Sequence, residues 1–232
     1  MAIDTATASS SVALGVGREV VAGAEHIDRR GHAEFLVPAI DFCFSQAGWR
    51  PADLDAVVVD VGPGLYTGIR VGIAAAQGIA ATLGIPVLPA TSLDALALEA
   101  TTGHRQIWAV VDVRRGQLAV GTYRPVPGGV VKEGAQQLVS PEQLRAMLQA
   151  LPGETLLVGE LDALEESVLS GLHRVKTGRP RHPAARALIQ IGAGRLERGD
   201  IPASEEIRPI YLREPDVNLN FDKLSPVDPW QT

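Results

Sequence analysis

The chain has almost no cysteine. Cys43 is the single thiol in 232 residues, so no intrachain disulfide can form and a reducing compartment is expected. It sits in an apolar helical pattern, which reads as a buried structural thiol rather than a nucleophile. Basic charge is also short. The 21 Lys and Arg face 27 Asp and Glu, for a formal net charge of −6. That balance excludes the electrostatic footprint of a stand-alone nucleic-acid binder, though not a place beside a more basic partner. No apolar run reaches the ~18 residues that a membrane span needs. Met1 leads straight into Ala-Ile-Asp, without the pattern of a signal peptide, and the expected location is the cytoplasm. His26, His32, His104, His173 and His182 show no paired metal-ligand spacing and read as surface or structural residues.

Glycine and small apolar residues are what the chain has. With 24 Gly, 16 Pro and 46% hydrophobic residues it can form a full core with many turns, as one large domain or two modest ones. Residues 62–84 are the most informative stretch. The apolar run Ala56 to Val61 predicts a buried strand, followed by a glycine loop and a helix of small residues. Thr67 is the expected N-cap and Gly84 the C′ residue, with Pro86 just beyond. A strand, glycine loop and helix can aim free N–H groups at an anion. Gly62, Gly64 and Gly68 match neither the dinucleotide fingerprint nor a P-loop, so a simple turn is the alternative reading. Within the helix, Gly72, Ala76 and Ala80 recur every four residues, a face that lets a neighbour approach closely.

The two halves open alike. Ala2-Ile3-Asp4-Thr5 leads to the strand-like Ser11–Val16, and Ile107–Asp112 leads through Val113-Arg114-Arg115-Gly116 to Gln117–Gly121. Each reads as a hairpin with an acid at its rim. In the first half further strands are expected at Val20–His26 and Val87–Pro89, and helices at Ala33–Ala47 and Ser92–Ala100. In the second, strands are expected at Val130–Leu138, Thr155–Val158 and near Val175. Its helices are expected at Pro141–Leu151 with Ser140 as N-cap, near Leu161–Leu169, and at Ala184–Arg198. Alternating strands and helices imply an α/β chain with partly parallel sheets. The duplicated sheet-plus-helix halves suggest the two-lobed sugar-kinase/Hsp70/actin-like (ASKHA) fold, in which nucleotide binds between the lobes. The expected division is 1–102, 103–215 and a tail at 216–232.

Several stretches together resemble the TsaB (YeaZ) family. They are Ala2–Thr7 with Ser11–Leu14, His32–Asp41, Gly62–Ala80, Thr91–Ala97, Asp112–Gly116 and Pro209–Arg213. The resemblance spans roughly residues 1–215 and is most specific in the Gly-Pro-Gly…Thr-Gly-Ile-Arg-Val-Gly-Ile-Ala block. The family loop commonly has Ser-Phe where this chain has Leu65-Tyr66, so the loop hydroxyl is lost and the aromatic kept. The resemblance implies a non-catalytic subunit that pairs with a TsaD-type paralogue. That paralogue transfers threonylcarbamoyl to the adenosine beside the tRNA anticodon. A TsaE-type ATPase is a further implied partner, tRNA would be met only through the complex, and a homodimer is expected when the chain is alone. TsaD-type subunits carry a His-x-x-x-His metal pair, and the matching positions here are Ser92 and Leu96. A hydroxyl and an isobutyl group do not replace two imidazoles, so no metal and no catalytic residue are expected.

Two helices are the expected partner surface. Phe35, Leu36, Ala39, Ile40, Phe42 and Cys43 would supply the first, and Ile69, Gly72, Ile73, Ala76 and Ala80 the second. The alternative for the first helix is burial between sheet and loop. Asp4, Thr5, Gly62, Gly64, Thr67, Gly68 and Asp112 are the candidates for nucleotide or phosphate, ATP or ADP being the implied ligand, with turn capping as the alternative for both aspartates. Arg70 would meet an acidic partner group, face solvent or take an intrachain role. A second functional class is a stand-alone kinase of the same superfold, with Gly192-Ala193-Gly194 the nearest candidate for an adenosine loop. A protease reading finds no Ser-His-Asp context around Ser92.

Overall fold

The computed structural model describes residues 1–28, 31–100, 102–203 and 206–212. The expected tail at 216–232 lies outside them, as does Arg213. The first half runs β1 (Ala2–Asp4), β2 (Ser9–Val16), β3 (Glu19–Ile27), α1 (His32–Ala47), β4 (Val57–Asp60), α2 (Tyr66–Leu83), β5 (Val87–Ala90) and α3 (Ser92–Leu98). The second runs β6 (Gln106–Asp112), β7 (Leu118–Val126), β8 (Gly129–Lys132), β9 (Gln137–Val139), α4 (Pro141–Ala150), β10 (Thr155–Gly159), α5 (Glu166–Leu169), β11 (Val175–Pro180) and α6 (Ala185–Glu197).

The sheets repeat one plan. The first has the order β3-β2-β1-β4-β5, and the second β11-β10-β6-β7-β8 with β9 beside β7. In each, the opening hairpin is antiparallel and is extended antiparallel by β3 or by β8 and β9, and the later strands, β4 and β5 or β10 and β11, add in parallel on its other side. The parallel strands β4, β5 and β10 are largely apolar runs, as strands covered on both faces are, while β11 at the edge of its sheet is polar. Alternation along β1 sends Ile3 to one core and Ala2 to another, and β4 does the same with Val57 and Val59 against Val58.

Three expectations need correction. The N-cap of α2 is Leu65 rather than Thr67, which lies inside the helix's first turn and is exposed. The strand expected at 130–138 is two strands, β8 and β9. The helix expected at 161–169 is a 3-10 turn, Leu161–Ala163, and the single turn of α5. Helix α4 does start as expected, with Ser140 and Gln143 forming a reciprocal capping box.

The helices are exchanged between the halves. Helices α1 and α2 cover one face of the first sheet through Leu36, Ala39, Cys43, Ile69, Ile73, Ala76 and Ala80. Its other face is covered by α6 from the end of the chain, where Ala185, Leu188 and Ile189 meet Ala2, Ala13, Val58 and Leu88. Conversely α3, from the first half, packs Leu93, Leu96 and Ala97 on Ile107, Ala109 and Val111 of the second sheet. The second sheet's far face is closed by Leu144 and Leu148 of α4. Segment 206–212 also returns to the first lobe, with Ile207 in its core and the Ile210 N–H donating to the Val61 carbonyl at 2.7 Å. The boundary near residue 102 therefore does not separate two self-contained lobes.

Candidate functional site

The glycine loop closes on the chain itself. A Cβ on Gly64 would stand 2.0 Å from the Ala6 carbonyl oxygen, and one on Gly68 2.0 Å from that of Thr5. A Cβ on Gly72 would stand 2.6 Å from Thr5 Oγ1. These glycines are there because α2 and its entry loop lie against the β1–β2 turn, at a distance no side chain permits. Gly62 has the positive φ of 97° that the turn reading required. Two of the loop's donors are taken: the Gly62 N–H donates to Asp60 Oδ1 at 2.7 Å and the Leu65 N–H to the Ala6 carbonyl at 2.6 Å. The Thr5 hydroxyl donates to the Gly68 carbonyl at 2.7 Å. The geometry around Gly62, Gly64 and Gly68 is that of a packed turn.

Asp4 does not stand at a rim. It is 1% exposed, at the end of β1, beside Asp60 at the end of the parallel neighbour β4, which is also 1% exposed. Asp60 was missed in the sequence because its strand reads as a purely apolar run. Burial pushes the Asp4 carboxyl well above the ordinary carboxylate value, and the neighbouring Asp60 charge pushes it further. Burial raises Asp60 to about 7, against the pull of hydrogen bonds from the Ser92 hydroxyl and the Gly62 N–H. Asp4 Oδ1 accepts from the Ala6 N–H at 2.9 Å, while the buried Oδ2 receives no donor from the chain. Burial and the nearby Asp60 charge both favour the protonated form of Asp4, which would give that atom a proton of its own to donate. A carboxyl this buried, with its charged form disfavoured, is poorly placed to meet a ligand from solvent.

Ser92 and Leu96 fill the neighbouring space. Ser92 is fully buried and donates to Asp60 Oδ2 at 2.7 Å, so its hydroxyl is not a surface nucleophile. Leu96 is fully buried in the core between α3 and the second sheet. Among the described residues no group of three or more His, Cys, Asp or Glu is arranged to hold a metal ion. Gly192 and Gly194 lie within α6, and a Cβ on Gly192 would stand 2.3 Å from Val58 Cγ2. Gly192 serves helix-on-sheet packing and Gly194 is likewise helical, which removes the adenosine loop of the kinase alternative.

Asp112 does stand at a rim, in a cleft between the lobes. It lines a cavity of about 750 Å³ with Ala8, Glu25 and Ile27 from the first lobe and Arg114, Glu160 and His182 from the second. Glu160 accepts from the Asp112 N–H at 2.8 Å and lies 2.6 Å from His182 Nδ1. Thr7 Oγ1 approaches the same nitrogen at 3.4 Å, so the three groups form no relay through the ring.

The expected partner surface turns inward. Leu36, Ala39, Cys43, Ile69, Gly72, Ile73, Ala76 and Ala80 are all buried against the chain's own first sheet. Phe35 and Ile40 are half-buried, and Phe42 alone of that set is exposed, at 50%. An arginine at Ala76 would therefore test the fold and not a contact. The outward faces carry Val37, 70% exposed, with Pro38 and Phe42 on α1, and Ala74, Gly78 and Ala81 on α2. At the start of α2 the Arg70 guanidinium lies 3.9 Å over the Tyr66 ring and donates to the Tyr211 hydroxyl at 2.8 Å, with the two rings stacked. Arg70 thus has the intrachain role. Among the described residues no helix is long and apolar enough to cross a membrane.

Known proteins share this arrangement. A family model described as TsaD, tRNA N6-adenosine threonylcarbamoyltransferase, matches residues 26–160. The chain is 30% identical over 97% of both chains to the tRNA threonylcarbamoyladenosine biosynthesis protein TsaB of Escherichia coli. It is 30% identical to the TsaB of Bacillus subtilis, over 92% of this chain and 93% of that one. The solved YeaZ from Pseudomonas aeruginosa superposes with a TM-score of 0.76 at 26% identity, over 91% of this chain and 98% of that one. Both lobes of that ASKHA-type structure are covered, and from sequence and fold together the chain belongs to the TsaB (YeaZ) family.

Proposed function

We propose that this chain, as a TsaB-family protein of tRNA threonylcarbamoyladenosine biosynthesis, is a non-catalytic subunit that docks a TsaD-type transferase through the outward faces of α1 and α2. The observation that carries the reading is the exposed apolar surface of α1, Val37 and Phe42, beside the small outward residues Ala74, Gly78 and Ala81 of α2. Small residues let a partner helix come close, and an exposed aromatic supplies a buried anchor on docking. The sealed Asp4–Asp60 pair and the filled Ser92 and Leu96 positions support a subunit without its own transfer chemistry. A TsaE-type ATPase and tRNA join through the complex, in the cytoplasm, and a second copy of the chain takes the same face when the transferase is absent.

The test is calorimetric titration of the chain with the TsaD-type protein of the same organism. Phe42→Glu and Gly78→Arg should each weaken binding by about tenfold or more, with far-UV circular dichroism unchanged. Undiminished binding by both variants would overturn the assignment of this face. Absence of binding by the unaltered chain would overturn the partner reading itself.

A further inference from the structure

We infer that the interlobe cleft is a binding site for a small anion of low charge, a carboxylate or a phosphate monoester, held by Arg114 and its neighbours on the second lobe. The inference stands apart from the partner reading, since the cleft is formed within one chain. It also differs in place from the Asp4 and glycine-loop region, which is closed.

Hydrogen-bond accounting gives the sign of the ligand. The acids behind the cleft are engaged by the chain's own donors: Glu160 by the Asp112 N–H and His182, and Asp112 by the Arg114 N–H at 2.8 Å and its Nη1 at 3.1 Å. Glu25 lies 3.1 Å from the Ser9 hydroxyl and 3.9 Å from Arg186 Nη1. The cationic side chains keep donors to spare. A guanidinium has five N–H groups, and Arg114 commits its Nη1 to Asp112, Arg186 its Nε to Glu99 at 2.5 Å. A surplus of donors on one wall calls for acceptor oxygens.

The turn that carries Arg114 is shaped for this. Arg114 and Arg115 have φ of 72° and 56°, a left-handed conformation in two successive arginines. Asp112 holds the turn by accepting from the Arg114 N–H, and Glu160 holds Asp112 in turn. Such strain persists where surrounding contacts impose it, and it concentrates at ligand sites. The wall opposite is apolar at Ala8 and at Ile27, which is 64% exposed, and gives a surface for the body of a ligand. Asp28 and Asp162 on the rim repel a polyanion, so a single carboxylate or monoester fits better than a nucleoside triphosphate.

Calorimetry at constant ionic strength and pH 7 tests this, with acetate, glycerol 3-phosphate and magnesium–ATP as separate probes. The whole chain is compared with Arg114→Gln, and with Arg50→Gln, which alters an exposed arginine outside the cleft. Saturable binding of acetate or glycerol 3-phosphate, weakened about tenfold by Arg114→Gln and kept by Arg50→Gln, is the expected result. Which of the two probes binds separates the carboxylate from the phosphate source. If Arg114→Gln does not fold, Arg186→Gln reads the same contact from α6. No saturable binding of either small anion, equal binding by the cleft variants, or tighter binding of magnesium–ATP than of both would overturn the inference.

Discussion

Asp60 ends an otherwise all-valine strand and has no solvent to share its charge, so it and Asp4 act as one proton-holding pair. The consequence is a pH dependence of a definite sign. Asp60 is raised from 3.8 to about 7, and Asp4 is raised as well. The folded protein therefore keeps protons that the unfolded chain has already released, and its stability falls as pH rises from about 4 to about 7. Below that window the pair costs nothing. Asp60→Asn keeps an acceptor for the Gly62 N–H and removes the like charge beside Asp4. Thermal melts at pH 5 and pH 8 should show a smaller drop for the variant, with stability at pH 8 higher by about 1–3 kcal/mol. Parallel melting curves for the two proteins would sink the shared-proton account. In the sequence Asp4 was legible as a hairpin acid, because an Asp before a small-residue turn is a recurrent pattern. Asp60 was not, because only the parallel pairing of β1 with β4 brings the two strand ends together, and no local signal encodes that pairing. The carboxylate Glu160 and the imidazole His182 met for the same reason, across 22 residues and two elements.

Helix α2 shows what periodicity gives and withholds. Its punctuation was readable: Gly84 ends it in the left-handed region with φ of 68°, and its bounds fell close to expectation. Its facing was not. Gly72, Ala76 and Ala80 make one small stripe, and Ala74, Gly78 and Ala81 make another, so spacing alone cannot say which meets the sheet. The deciding fact is the close approach of Gly64, Gly68 and Gly72 to Thr5 and Ala6, a tertiary distance. Two glycine substitutions in this one helix should therefore have opposite signs. Gly68→Ala forces a Cβ against the Thr5 carbonyl and should cost about 3 kcal/mol or more. Gly78→Ala meets nothing within 4 Å and should stabilise by ~0.5–1 kcal/mol through helix propensity. Urea midpoints of the two variants measure both, and a stable Gly68→Ala would contradict the packed-turn geometry.

At the scale of the molecule, duplication was visible and exchange was not. The two hairpins with their trailing parallel strands repeat in sequence, so the two-lobed plan followed from pattern. That α3 would cover the second sheet and α6 the first depends on chain crossings between the lobes, which hydrophobic periodicity does not report. The exchange ties the stability of each lobe to the other. Leu188 of α6 is fully buried against Leu88 and Val58 of the first sheet, while α6 also meets α3, whose core lies on the second. Trp49 packs against the first lobe's core and Trp108 lies in the second's, so each reports its own lobe once Trp230 is replaced by Phe. In Trp230→Phe chains that keep only Trp49 or only Trp108, urea unfolding should give coincident midpoints. Leu188→Ala should lower both midpoints together, by an amount corresponding to about 2–5 kcal/mol. Two lobes that merely abut would give separate midpoints, with Leu188→Ala moving only the Trp49 signal, because the second sheet would then keep its cover when the first lost α6.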